Sequence, residues 1–135
     1  QLADHYYMAG DLTSLPAISA MAEVMPAEAQ GHIALLVPHQ EDVQDLSLPE
    51  GVSLRWFVGT PDQTGPLVEH FTALPMAAEG SYFWFGGEEG LVVPLRRHVR
   101  RALEVDRSQV YAVPYWRSGK DEDAYHQDRH VVMDS

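Results

Sequence analysis

The chain has 135 residues, a length that fits one domain and leaves no room for a second. Its hydrophobic fraction of 45% and charged fraction of 21% are typical of a soluble globular protein, and no apolar run approaches the roughly 18 residues of a membrane span. The net charge of −11 argues against general nucleic-acid binding, and the absence of cysteine excludes disulfides, thiolate metal sites and cysteine nucleophiles. An acidic, cysteine-free chain favours the cytoplasm.

The basic residues are concentrated in the last third of the sequence. Five of the nine Lys and Arg residues fall between Arg96 and Arg107, and Arg117 and Lys120 follow shortly afterwards. A basic region in an acidic chain favours a small anionic ligand. The alternative for the first group is a solvated helix face with acidic partners.

Apolar strand-like runs alternate with helical patterns along the whole chain. Pro26 ends the first helix, and the longest helix has acidic residues in its first turn and arginines towards its end, which suits the helix dipole. The alternation predicts a three-layer α/β fold with a five-stranded parallel sheet. The predicted strands are His5–Ala9, His32–Val37, Ser53–Val58, Ser81–Phe85 and Gln109–Val113. The first predicted helix is capped by Thr13 or Ser14, and the next two are Pro66–Leu74 and Glu88–Leu103. A last helix is capped by the acidic stretch Asp121–Asp123 and ends at Arg129.

Two glycine-containing loops follow predicted strands and precede predicted helices. After the first strand, Gly10 permits close backbone approach, Asp11 can bond ribose hydroxyls or fix the turn, and Thr13 and Ser14 offer hydroxyl groups. After the fourth strand, Gly86-Gly87 forms a second backbone window. Both loops belong at the carboxyl edge of an open sheet, where ligands bind, although a capped strand–turn–helix joint without a ligand also explains the first.

Other candidate residues have simpler structural explanations. His126 and His130 share the i, i+4 spacing of a metal pair, but the sequence offers no third ligand, so no metal site is predicted. Glu88 and Glu89 could act as acid and base, yet a solvated first helical turn explains both. Trp56 and Trp84 are expected in the core. No residue is predicted to be a covalent catalyst.

Together, these segments resemble the C-terminal domain of the siderophore-interacting proteins, flavin-dependent ferric-siderophore reductases of the ferredoxin reductase superfamily. The resemblance runs from about Tyr6 to about Tyr125. It rests on Tyr7, Ala9-Gly10-Asp11, Thr13, Leu15-Pro16-Ala17-Ile18, Trp56, Trp84 to Glu88, Leu95-Arg96-Arg97 and Tyr115-Trp116-Arg117-x-Gly119.

The resemblance implies a Rossmann-like, ferredoxin reductase-like domain that binds NADPH or NADH and passes hydride to FAD. FAD would be held mainly by a preceding β-barrel domain that residues 1–135 do not contain, so this domain alone is expected to be inactive. The implied partners are that barrel and a ferric siderophore, with no nucleic acid and no membrane. The implied cofactor contacts are Gly10, Asp11, Thr13, Ser14, Pro16, Gly86, Gly87 and Glu88, and the implied substrate contacts are Tyr115, Trp116, Arg117 and Lys120.

Two departures from the family pattern keep alternatives open. Many relatives carry an arginine where this chain has Val58-Gly59-Thr60, so NADPH, NADH and a different electron donor all remain candidates. Because the barrel is absent from this chain, a non-catalytic siderophore- or partner-binding module is one alternative function. A flavin oxidoreductase with a non-iron acceptor is the other.

Overall fold

A five-stranded, all-parallel sheet with strand order β3-β2-β1-β4-β5 forms the middle layer of the fold, which confirms the predicted α/β class. The computed structural model describes residues 3–116. The strands are β1 (His5–Asp11), β2 (Gln30–Val37), β3 (Gly51–Val58), β4 (Ser81–Glu88) and β5 (Val110–Trp116); the helices are α1 (Leu15–Glu23), α2 (Gly65–Thr72) and α3 (Glu89–Arg97), with a π-helical turn at His98–Ala102.

Each face of the sheet packs its own hydrophobic cluster, because alternate residues of a strand point to opposite faces. Tyr7, Ala34 and Phe85 lie in the cluster that includes α2 and α3 side chains. Met8 and Ile33 lie in the opposite cluster, which is covered by α1. Burial on both faces explains why the central strands read as continuous apolar runs in the sequence.

β2 and β3 end at Val37 and Val58 as predicted, whereas the other three strands extend beyond their predicted carboxyl ends. β1 continues to Asp11, and β4 continues through Gly86 and Gly87 to Glu88, so the prediction of a glycine turn after Phe85 is wrong. Gly86 pairs with Gly10 on one side and with Val113 on the other. A central strand with partners on both sides keeps its ladder, whereas glycine composition alone suggests a turn.

The fifth strand starts one residue later than predicted and extends through Trp116. The backbone of Pro114, Tyr115 and Trp116 is therefore strand and does not form the predicted turn. An edge strand tolerates Pro114, because within residues 3–116 one side of the β5 backbone has no neighbouring strand to bond. Arg117 and Lys120, the predicted helix through Arg129, and the histidines at 126 and 130 lie outside the described residues.

The start of α1 differs from the predicted cap. Neither Thr13 nor Ser14 caps the helix through its side chain. Instead, Asp11 caps a preceding 3-10 turn at Leu12–Ser14 by accepting a hydrogen bond from the Thr13 backbone N–H. The Ser14 hydroxyl donates in the other direction, to the Asp11 carbonyl oxygen at 2.9 Å.

The third helix is shorter than predicted and changes geometry partway along. Its α-helical part ends at Arg97, and the N–H of Leu103 bonds to the His98 carbonyl at 3.3 Å across the π-helical turn. Pro94 within α3 has no N–H to give to the Gly90 carbonyl. The Thr64 hydroxyl donates to that carbonyl instead, at 3.3 Å.

The two tryptophans have different environments. Trp84 on β4 is 5% exposed and stacks on Tyr111, with ring centroids 6.0 Å apart, so its predicted core position is confirmed. Trp56 is only partly buried. Its strand, β3, is an edge strand that pairs with β2 alone among the described strands, whereas β4 has a neighbouring strand on each side.

Candidate functional site at the switch point of the sheet

The candidate site lies at the carboxyl ends of β1 and β4, where the strand order changes direction. From β1 the chain passes to β2 and β3 on one side, then crosses to β4 on the other side. At such a switch point the connections leave in opposite directions and open a crevice, which is the usual ligand site of open α/β sheets. Both predicted glycine segments therefore meet at one place.

Asp11 joins the ends of these two strands through its buried carboxylate. Oδ1 accepts from the Thr13 N–H at 3.0 Å and from the Thr13 hydroxyl at 2.5 Å. Oδ2 accepts from the Glu88 N–H at 2.8 Å, across 77 residues of sequence. Asp11 is 5% exposed, so its carboxylate ties β1 to β4 and fixes the turn that leads into α1.

The space beside Gly10 is filled by the protein itself. A Cβ built on Gly10 would lie 1.9 Å from the Ser14 Oγ and 2.9 Å from the Gly86 carbonyl oxygen. Ser14 is fully buried. Gly10 therefore lets the first turn and β4 pack closely against β1, and in this conformation its backbone window is closed to a ligand.

Gly87 has a backbone conformation that side chains rarely adopt. Its φ is +134°, and a Cβ at this position would lie 2.6 Å from the Asp11 carboxyl group. β4 shifts register against β5 between Gly87 and Glu88. The glycine allows the strand to bend here and bring the Glu88 N–H to Asp11.

Glu88 is a buried carboxyl group at the start of α3. Its Oε1 accepts from the Gly90 N–H at 2.6 Å, which caps the helix, and the residue is 6% exposed. Burial raises the pKa of Glu88, and the nearby carboxylates of Asp11, Glu89 and Asp62 raise it further, against the opposing effect of the Gly90 bond. The crevice is therefore acidic around its buried center.

Beside this center, a cavity of about 140 Å³ opens at the ends of the first three strands. Thr13, an exposed residue, lines it together with the aliphatic Leu12. The cavity is smaller than a typical site for a whole organic ligand, so it suits one part of a larger molecule. Its lining residues are Asp11, Leu12, Thr13, Leu36, Pro38, Gly59 and Pro61.

Sequence reasoning missed part of this cavity. The sequence predicts none of Leu36, Pro38, Gly59 and Pro61 as site residues. All four lie at or just beyond the carboxyl ends of β2 and β3. The rule that parallel strands end at one common edge could have found them, once the strand order was known.

The structure thus brings together the eight predicted cofactor-contact residues, but in two groups. Thr13 and Pro16 are exposed, whereas the other six are buried between β1, β4 and the first helical turn. Of the predicted substrate contacts, Tyr115 and Trp116 are on the strand next to β4, and Arg117 and Lys120 lie outside the described residues. Within residues 3–116, no group of three or more acidic or histidine side chains is arranged to hold a metal ion.

Comparison with known proteins agrees with this α/β class of fold, in which the ligand crevice lies at a sheet switch point. The family model described as siderophore-interacting protein matches residues 3–119. The chain belongs to the siderophore-interacting protein family.

Relatives with functional names support the same assignment. The chain is 42% identical over 135 residues to the ferric vibriobactin reductase ViuB of Vibrio cholerae, covering 98% of this chain and 50% of ViuB. It also matches an uncharacterized protein of Mycobacterium tuberculosis at 28% identity, over 91% of this chain and 48% of the relative. The chain thus spans about half the length of these curated relatives.

Solved structures show the same fold. The siderophore-interacting protein SipS from Aeromonas hydrophila superposes with a TM-score of 0.97 at 78% identity, over all of this chain and 54% of SipS. A siderophore utilization protein from T. fusca superposes with a TM-score of 0.82 at 27% identity, over 93% of this chain and 49% of that one. Within the described residues, no helix is long and apolar enough to cross a membrane.

Proposed function

We propose that this chain is the nicotinamide-binding, substrate-facing domain of an FAD-dependent ferric-siderophore reductase that works in the cytoplasm. The observation that carries the proposal is the site at the β1/β4 switch point, beside a cavity that the exposed residue Thr13 helps to line. Family membership and the name of ViuB point to the same chemistry.

The cavity fits one end of a nicotinamide dinucleotide. Its aliphatic and proline residues suit the adenine ring, and the Thr13 hydroxyl can bond a ribose. We assign Leu12, Thr13, Pro38 and Gly59 to this contact. The buried Asp11 already accepts three hydrogen bonds from the protein, so its main role is to hold the turn that presents Thr13.

Charge at the site bears on the choice of nucleotide. Among the described residues, none that lines the cavity is Lys or Arg, and the lining residue Asp11 is acidic. A 2′-phosphate would therefore find no cationic partner from this part of the chain. We expect NADH to bind at least as tightly as NADPH.

When bound, the nicotinamide would supply hydride to FAD, and the reduced flavin would supply electrons to the Fe(III) chelate, which then releases more weakly held Fe(II). The described residues would position the nucleotide and exclude water from it. The apolar wall of the cavity orients the nucleotide, and the bond from the Glu88 N–H to Asp11 holds the ends of β1 and β4 together. We place FAD mainly on a barrel domain outside this chain, and assign siderophore contact to Tyr115, Trp116, Arg117 and Lys120.

Calorimetric titration of the chain with NADH and with NADPH tests the nucleotide site. Gly59→Leu should weaken NADH binding about tenfold or more, because Gly59 lines the cavity and a Cβ there would lie 2.8 Å from the Gln63 Oε1, which would have to move. Gly65→Leu is the matched control, since a Cβ there meets nothing within 4 Å and Gly65 is not part of the cavity. Equal loss of binding in both variants would contradict the assignment.

A chimera tests the reductase role. This chain would replace the matching 54% of SipS, and NADH-dependent release of Fe(II) from a ferric siderophore would be followed with a colored Fe(II) chelator. We expect activity from the chimera with FAD and none from the isolated chain. An intact chimera that binds the siderophore but does not reduce it would favor the binding-module alternative, for which the closed window at Gly10 is the structural argument.

A further inference from the structure

A second charged region lies near the amino ends of the strands, whereas the nucleotide site lies at their carboxyl ends. α3 starts at the carboxyl edge and runs back towards the start of β5, so Arg101 lies roughly 15–20 Å along the helix from Glu89. Here four arginine side chains line a recess of about 210 Å³, which we call the arginine recess: Arg96, Arg97, Arg100 and Arg101.

The arginine recess is partly fixed in place by the backbone around it. Nη1 of Arg100 donates to the Val105 carbonyl oxygen at 2.8 Å, which anchors that guanidinium at the edge of the recess. The π-helical turn at His98–Ala102 and the positive φ of Glu104, +55°, form the bend that places Val105 within reach.

The positive charges in this region repel one another. Burial lowers the pKa of Arg96, and the neighboring Arg100, Arg107, Arg101 and Arg97 lower it further. Hydrogen bonds from Ser108 lower the pKa of Asp106, and the positive charge of Arg100 lowers it by a smaller amount. Its Oδ2 accepts from both the backbone N–H and the hydroxyl of Ser108, so this carboxylate is engaged in its own turn.

The helix dipole does not by itself account for this concentration of charge. A cation in the last turn stabilises a helix, and the effect fades within that turn. Pairs of like charges four residues apart oppose it, and Arg96/Arg100 and Arg97/Arg101 are two such pairs. An anion in the recess would relieve both repulsions at once.

The size and chemistry of the recess select the kind of anion. Its volume is below that of sites for whole organic ligands, which favors a compact group. Guanidinium groups bond phosphate oxygens in pairs, with charge assistance. We propose that the arginine recess binds a compact diphosphate group, either free or carried by a nucleotide, independently of the nicotinamide site.

Calorimetric titration of the 135-residue chain with inorganic pyrophosphate tests this proposal. We expect saturable binding that weakens as salt is raised, with about a tenfold loss in Arg101→Gln and a larger loss in Arg97→Gln/Arg101→Gln. Arg55→Gln is the charge-matched control: Arg55 is exposed on β3 over the Phe57 ring and should leave binding unchanged. Circular dichroism would confirm that each variant is folded.

Titration with ADP in the Gly59→Leu background distinguishes the two sources of the diphosphate. Affinity equal to that of pyrophosphate would support recognition of the free group, and tighter binding would support a nucleotide-borne one, provided that Arg101→Gln reduces either. The proposal would be overturned if pyrophosphate did not bind, if Arg55→Gln and Arg101→Gln lost affinity equally, or if an acidic peptide bound the recess more tightly than pyrophosphate. Failure of NADH binding alone would leave this test unaffected.

Discussion

The carboxyl and amino ends of the strands carry opposite charges, and the charged groups at the two ends differ in burial. At the carboxyl ends of the strands, Asp11 and Glu88 are buried, and their carboxyl groups accept hydrogen bonds from backbone N–H groups. At the amino edge, where the third helix ends, Arg97 and Arg101 are exposed beside a recess. The acidic groups therefore hold the backbone at the candidate site, whereas Arg97 and Arg101 face solvent.

The largest effect should come from a side chain added at Gly87. Gly87→Val places a branched residue at φ +134° and its Cβ within 2.6 Å of the Asp11 carboxyl group, so both backbone strain and a clash oppose folding. We expect the free energy of unfolding to fall by about 3 kcal/mol or more, measured by urea denaturation. Gly65→Ala, in open space at the start of α2, should change it by less than about 1 kcal/mol. A Gly87→Val protein as stable as the parent would show that the strand bend is not needed.

Removing the Asp11 carboxylate should have the next largest effect. Asp11→Ala leaves the buried Glu88 N–H without its acceptor, and it removes the cap on the Thr13 N–H. We expect a loss of about 2–4 kcal/mol in the free energy of unfolding, with about half of that loss in Asp11→Asn, which keeps one acceptor oxygen. Asp45→Asn, at an exposed carboxyl, is the control and should change stability by less than about 0.5 kcal/mol. Equal effects at both positions would contradict the coupling of β1 to β4.

The buried Glu88 predicts a dependence of stability on pH. Its folded-state pKa is raised above the ordinary value of 4.5, chiefly by burial. The folded protein therefore holds this proton more tightly than the unfolded chain does, and the resulting contribution is fully present below pH 4.5 and is lost as pH rises through the folded-state pKa. Glu88→Gln removes the titration, so its stability relative to the parent should increase as pH rises above 4.5. Urea denaturation of both proteins at several pH values measures this difference, and a constant difference would refute it.

The sequence predicts the fold better than it predicts the site, for identifiable physical reasons. Continuous apolar runs such as Ile33–Val37 indicate strands buried on both faces, and the helical segments between them require parallel pairing. The carboxyl end of β4 is predicted too early because Gly86 and Gly87 favor turns in isolation. In the structure, hydrogen-bonded partners on β1 and β5 keep these glycines in the sheet.

The orientation of the site residues depends on contacts that have no local sequence signal. The bond from the Glu88 N–H to Asp11 joins residues 77 positions apart, and the Ser14 Oγ occupies the space beside Gly10 only because the turn folds back on its strand. The residue types at this edge were therefore predictable, but their division into buried and exposed groups was not. The cavity between the ends of β1, β2 and β3 required the strand order as well.

The smallest effect on stability should come from the arginines at the end of the third helix, and its small size separates the two regions most clearly. Arg97→Gln removes one member of the Arg97/Arg101 pair, relieving an i, i+4 repulsion while giving up a favorable interaction with the helix dipole. These terms nearly cancel, so we expect the free energy of unfolding in low salt to change by less than about 0.5 kcal/mol. If pyrophosphate occupies the arginine recess, its addition should raise the melting temperature of the parent more than that of Arg97→Gln. A loss of stability like that of Asp11→Ala would mean that the arginines support the fold as the buried acids do, and the contrast between the two edges would fail.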